Sequence, residues 1–108
     1  MTPKQAALLG FARKASKLVS GEAAAEAVLK KGQARLVILA DDISPNMYKR
    51  YSLWCQDEGV PLIMGDNKVS LGTALGLSPR SVIAITDENF ARSILAAGGD
   101  GPEEIRIP

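Results

Sequence analysis

Arg35–Ala40 reads RLVILA, an unbroken apolar run behind a single arginine. It is far shorter than the ~18–20 residues of a membrane span, and it offers no polar position with which to face water. A segment of this kind predicts a strand buried on both faces of a sheet, and such a strand needs helices packed above and below it. Val60–Met64 (VPLIM) and Ser81–Thr86 (SVIAIT) have the same character. Pro61 lacks an N–H, which places its strand at an edge or at a strand start. Lys17-Leu18-Val19 reads as a short edge strand.

Helical segments separate these runs. Thr2 is a cap, Pro3 suits a first helical position, and Gln5 can reach back to close a capping box. At ~100° per residue, Leu8, Phe11, Ala12 and Ala15 share one face of this first helix, opposite Arg13, Lys14 and Lys17. Ser20 is expected to cap a second helix over Gly21–Lys31, with Glu22 complementing its dipole and Gly32 ending it. Ser44-Pro45 opens a third, whose stripe of Met47, Tyr51, Trp54 and Glu58, with Cys55 alongside, reads as core. Gly59 stops that helix. A short helix over Lys68–Leu75 ends at Gly76, and Asp87 caps another whose Phe90, Ala91, Ile94 and Leu95 face inward, ended by Gly98-Gly99. Helices thus alternate with strands throughout, which predicts an α/β fold. The expected architecture is a three-layer α/β/α sandwich around a central four-stranded sheet, mostly parallel or mixed. Residues 1–98 form a single domain of ordinary size. Residues 99–108 read as a loosely attached tail in which Ile105 and Ile107 offer a further strand.

The chemistry of the chain is bounded mainly by what it lacks. It has no histidine and one cysteine, Cys55, so it cannot assemble a zinc site or a Ser/Cys–His catalytic pair. Neither G-x-G-x-x-G nor G-x-x-x-x-G-K-[ST] occurs. Asp41-Asp42, at the carboxyl end of an apolar run, are a carboxylate pair of the type that holds Mg²⁺, and equally an ordinary turn before a helix. The expectation is no metal, no cofactor and no catalysis. A lone cysteine fits a reducing cytoplasm, and Lys4, Arg13 and Lys14 leave no apolar stretch for a signal peptide. Charge is uneven: residues 1–50 carry nine Lys/Arg against four Asp/Glu, whereas residues 51–108 carry four against eight. Such asymmetry predicts a polarised surface, with Arg13, Lys14, Lys17, Lys30, Lys31 and Arg35 as its basic patch.

Several stretches together carry a resemblance. LLGFARKASKLVSGE, ARLVILADD, VPLI, LGTALG and VIAITDENFA follow one another in the order and spacing of the kink-turn-binding ribosomal-protein family. That family includes archaeal and eukaryotic large-subunit proteins, and this sequence is most similar to the bacterial YlxQ-type, ribosome-associated members. The resemblance spans about residues 5–97. It implies a globular, cytoplasmic RNA binder without catalysis, whose partner is structured RNA of ribosomal or ribonucleoprotein type. It implies neither a membrane nor a small-molecule substrate, and a monomer or weak dimer. Family members grip a bent internal loop with the start of their second helix and the loop before their last core strand.

Carried over by position, Lys17, Ser20, Gly21 and Glu22 fall on the first of these elements and Arg80 on the second, flanked by Arg13 and Lys14. Where the family places Asn-Glu or Lys-Gln, and then Lys three residues on, this chain has Ala23, Ala24 and Ala27. Recognition of structured RNA by backbone and shape contacts is therefore expected ahead of kink-turn specificity. The alternative is a protein-interaction module that keeps the fold and uses the alanine-rich helix as its docking face.

Overall fold

The computed structural model describes residues 1–98 and 105–106. The local signals place most elements where the sequence puts them. Thr2 caps α1 (Pro3–Lys14), with both arms of the capping box made to Gln5. β1 (Leu18–Ser20) leads directly into α2 (Glu22–Lys30). β2 (Leu36–Leu39) precedes α3 (Pro45–Glu58), which Ser44 caps and a left-handed Gly59 ends. β3 (Leu62–Met64), α4 (Lys68–Leu75) capped by Asn67, β4 (Val82–Ile85) and α5 (Glu88–Ala96) capped by Asp87 follow. β5 (Ile105–Arg106) adds a short strand from the tail.

The layers are those expected. In β2, Leu36 and Ile38 face α1, α4 and α5, together with Ile83 and Ile85 of β4. Val37, Leu39, Val82 and Ala84 face α2 and α3, where Ala25, Leu29, Met47, Tyr51 and Cys55 cover them. Alternate side chains of one strand thus enter two separate cores, which is why the runs carry no polar position.

The sheet is mixed, in the order β1-β4-β2-β3-β5, and among the described residues only β2 and β3 pair in parallel. Of the two arrangements expected, mostly parallel or mixed, the sheet takes the mixed one. A parallel crossover must carry the chain back to the far end of the sheet, and the connection through α4 does not. The Leu77–Arg80 loop doubles back along α4, so that the Arg80 N–H donates to the Lys68 carbonyl at 3.0 Å. β4 consequently enters from the end where β3 leaves, antiparallel to β2. The reversal depends on Gly72, where a Cβ would lie 2.2 Å from the Ser78 carbonyl oxygen.

Two packing details also differ from expectation. α1 buries Gln5, Leu9 and Ala12, leaving Phe11 59% exposed. Gln5 sets this seam: its Nε2 donates to the Ile94 carbonyl at 2.9 Å, which turns the Gln5–Leu9–Ala12 row into the space beside α5 and the Phe11 row outward. In α3, Met47, Tyr51 and Cys55 are buried, Trp54 is half-buried and Glu58 is exposed. The tail expectation falls mainly on residues 99–104 and 107–108, outside the described residues; β5 itself pairs antiparallel with β3.

Candidate nucleic-acid interface

β1 ends at Ser20, and Gly21 turns the chain into α2 with φ 93° and ψ 156°, a conformation that L side chains rarely adopt. Gly21 is itself the N-cap, and no side chain caps the helix. Ser20 is not the cap expected from the sequence. It remains in the strand, and its Oγ accepts from Arg80 Nε at 3.0 Å instead. The first turn of α2 therefore presents backbone N–H groups without a side-chain acceptor, the arrangement that favours an anion.

Arg80 is held on several sides. Its Nη1 donates to the Ser78 carbonyl at 3.1 Å, to Ser78 Oγ at 2.8 Å and to the Pro79 carbonyl at 3.1 Å. The Gly21 N–H donates to the Val82 carbonyl at 3.0 Å, which ties the turn to the start of β4. Ser20, Gly21, Glu22 and Arg80 thus form one contiguous group at the end of the sheet where β4 begins.

Beside it lies a cluster the sequence did not reveal. Arg50 Nη2 meets Glu22 Oε1 at 2.9 Å, and the Arg50 guanidinium sits 5.6 Å from the Trp54 ring centroid. Tyr51 meets Trp54 edge-on at 5.1 Å and donates its hydroxyl to the Glu22 carbonyl at 3.1 Å. Burial, then the nearby charges of Glu22 and Glu26, push the Tyr51 hydroxyl up to about 12, so it remains a donor at neutral pH. Glu22 is thereby held by α3 through both its side chain and its carbonyl. Nothing in the local sequence marks Arg50, because its partner lies in another element.

The remaining cations do not all converge. Arg13 and Lys14 stand in the last turn of α1, and Lys17 lies at the start of β1, where its carbonyl accepts from the Thr86 N–H at 2.9 Å. The rise of a strand separates Lys17 from Gly21 by roughly 13 Å. Lys30 is engaged at the far end of α2, 2.7 Å from Glu26 Oε2 and 5.1 Å from the Trp54 ring centroid. Lys31 follows it, and Arg35 donates to the Gly32 carbonyl at 3.0 Å in the turn into β2. Ala23 and Ala27 are exposed and Ala24 half-buried along α2. Asp42 serves the fold, accepting from the Lys68 N–H at 3.0 Å, and among the described residues no group of three or more metal-binding side chains assembles.

The chain is thus a small α/β/α sandwich in which a loop arginine holds the end of β1 beside an uncapped helix start. The chain belongs to the ribosomal protein L7Ae/L30e/S12e/Gadd45 family, whose model matches residues 4–95. It is 35% identical over 89 residues to the RNA-binding protein YlxQ of Bacillus subtilis, covering 82% of this chain and 89% of that one. Large ribosomal subunit protein eL8 of Thermoplasma volcanium is 31% identical over 75 residues, covering 64% of this chain and 61% of that one. Among solved structures, a Bacillus halodurans protein of unknown function superposes with a TM-score of 0.84 at 33% identity, covering 88% and 96% of the two chains. The Giardia lamblia 15.5kD RNA binding protein does so with a TM-score of 0.75 at 27% identity, covering 86% and 82%.

Proposed function

We propose that this chain is a non-catalytic RNA-binding protein of ribosomal or ribosome-associated type, acting in the cytoplasm on structured RNA. The observation that carries this reading is the Arg80–Ser20 hydrogen bond of 3.0 Å, which joins the two loops at the uncapped start of α2. Backbone N–H groups and a fixed guanidinium at one point suit a phosphate, and Arg13, Lys14 and Lys17 extend positive charge along the same edge. The family and the relatives named above support it.

The alanines set its specificity. Each direct polar contact to a base is worth ~1–3 kcal/mol, so Ala23, Ala24 and Ala27 forgo roughly 10–100-fold in affinity per contact. What remains is recognition of backbone and shape, with kink-turn RNA one candidate among structured RNAs. The non-catalytic reading is supported by the side chains at hand: the chain has no histidine, and its one thiol, Cys55, is buried and pushed up to about 12.

Binding to a kink-turn RNA, a straight duplex and a ribosomal RNA fragment, each measured across salt, tests the proposal. Tighter binding to either structured RNA than to the duplex supports it. Equal and negligible affinity for all three contradicts it.

A further inference from the structure

Phe11 is 59% exposed, among the most exposed large apolar side chains described, yet it is not isolated. It borders a groove of about 340 Å³ between α1 and α4, lined also by Ala7, Gly10, Lys14, Ala74 and Gly76. The floor is made of small residues, with Gly10 close enough that a Cβ there would lie 3.5 Å from the Ala74 carbonyl. One wall is an aromatic ring, and Lys14, one helical turn on from Phe11, stands on the same side of α1. α1 carries Lys4, Arg13 and Lys14 and no carboxylate.

An apolar slot beside an aromatic ring, under cations with no acid on the same helix, matches one chemistry: an unstacked base with its phosphates. Bases stack on exposed aromatic rings while lysine and arginine hold the backbone between them. The two charged side chains that line the groove, Arg13 and Lys14, are both cations, which complements a phosphate backbone and not an apolar peptide. The position supports the same occupant. Gly76, at one end of the groove, begins the loop that runs back along α4 and brings Arg80 to Ser20, one α4 length (about 12 Å) away, within reach of a neighbouring stretch of the same RNA.

We propose that the α1–α4 groove takes an unpaired nucleobase of the bound RNA, stacked on Phe11 with its flanking phosphates at Arg13 and Lys14. This rests on the RNA-binding reading above and adds a second contact point beyond the start of α2. It supplies affinity without sequence readout, because every base has a stacking face. In a chain whose α2 lacks polar recognition side chains, such a contact replaces some of the lost affinity.

The test uses the full chain and two RNAs, a kink-turn hairpin with a single-stranded flank of four uridines and the same hairpin with an abasic flank. The wild-type chain is expected to bind the uridine flank about five- to a hundredfold more tightly. Phe11→Ala should abolish that difference and Phe11→Trp should restore it; because Phe11 is exposed, both variants should fold. A flank of 4-thiouridines should photocrosslink to a peptide containing Phe11. A flank preference unchanged in Phe11→Ala, with RNA still bound, overturns the groove proposal and leaves the RNA-binding reading standing. Failure of the wild-type chain to bind either hairpin overturns the groove proposal, and failure to bind the ribosomal RNA fragment and the duplex as well overturns both. Sedimentation in which the wild type dimerises and Phe11→Ala does not would assign the groove to a second copy, and so overturn it too.

Discussion

Arg80 Nε donates to Ser20 Oγ across 3.0 Å, linking residues sixty positions apart in sequence. The bond fixes the loop before β4 against the end of β1, beside the start of α2. Arg80→Ala is expected to cost roughly 1–2 kcal/mol of stability and to lower RNA affinity about tenfold. Arg80→Lys keeps the charge but cannot reproduce the planar fork, so it should retain the salt dependence while losing affinity. Denaturant titration and filter binding of both variants check this.

Gly72 tests whether the loop must fold back on α4. An added Cβ would meet the Ser78 carbonyl oxygen at 2.2 Å and carbon at 2.7 Å, both backbone atoms that cannot rotate away. Gly72→Ala should destabilise the fold by about 1–3 kcal/mol and displace the segment that holds Arg80. Its RNA affinity should fall even at temperatures where circular dichroism reports a folded chain.

The cations differ in what they can contribute. Lys17 is exposed at the other end of β1 from Gly21, whereas Lys30 is paired with Glu26 and rests on Trp54. Lys17→Ala is expected to flatten the slope of log affinity against log salt by about one unit, and Lys30→Ala to leave it unchanged. Equilibrium binding between low and moderate salt separates the two.

Burial pushes the Cys55 thiol up to about 12 from an ordinary value near 9.0. The unfolded chain therefore releases this proton at lower pH than the folded chain. The contribution is fully present below about pH 9 and is lost as pH rises from there towards 12, at up to roughly 1.4 kcal/mol per pH unit. Tyr51 adds a second loss of the same sign from its ordinary value of 10.0 upward. Urea midpoints at pH 7.5, 9.5 and 10.5 should fall for the wild type, and Cys55→Ala should remove the earlier part of the decline.

Much of this fold was legible because the decisive signals are local. Thr2, Ser44 and Asp87 are caps in the chain as in the sequence, and the unbroken apolar runs announce strands buried on both faces. Strand order was not legible, since the reversal of β4 depends on how Ser78 folds back over Gly72, a contact between elements. Helical periodicity grouped Phe11 with Leu8, Ala12 and Ala15 on one face; the Gln5–Ile94 hydrogen bond goes with a buried row of Gln5, Leu9 and Ala12 that leaves Phe11 outside. Ser20 resembled a cap by residue type, but Arg80 claims its hydroxyl. The basic patch was read as continuous because the cations lie close in sequence. A strand and a nine-residue helix divide it, and Arg50, which completes the surroundings of Glu22, comes from α3.

The central claim is that the edge formed by Lys17, Ser20, Gly21 and Arg80 holds the backbone of structured RNA. Its most direct measurement is the affinity of the wild-type chain for a kink-turn RNA and a ribosomal RNA fragment across salt, beside Arg80→Ala under the same conditions. With Arg13 and Lys14 beside Lys17 and Arg80, about four cation–phosphate contacts give an expected slope near −3, reduced by about one unit in the variant. Affinity no better than that of a neutral domain, or a slope identical in the two proteins, would contradict it.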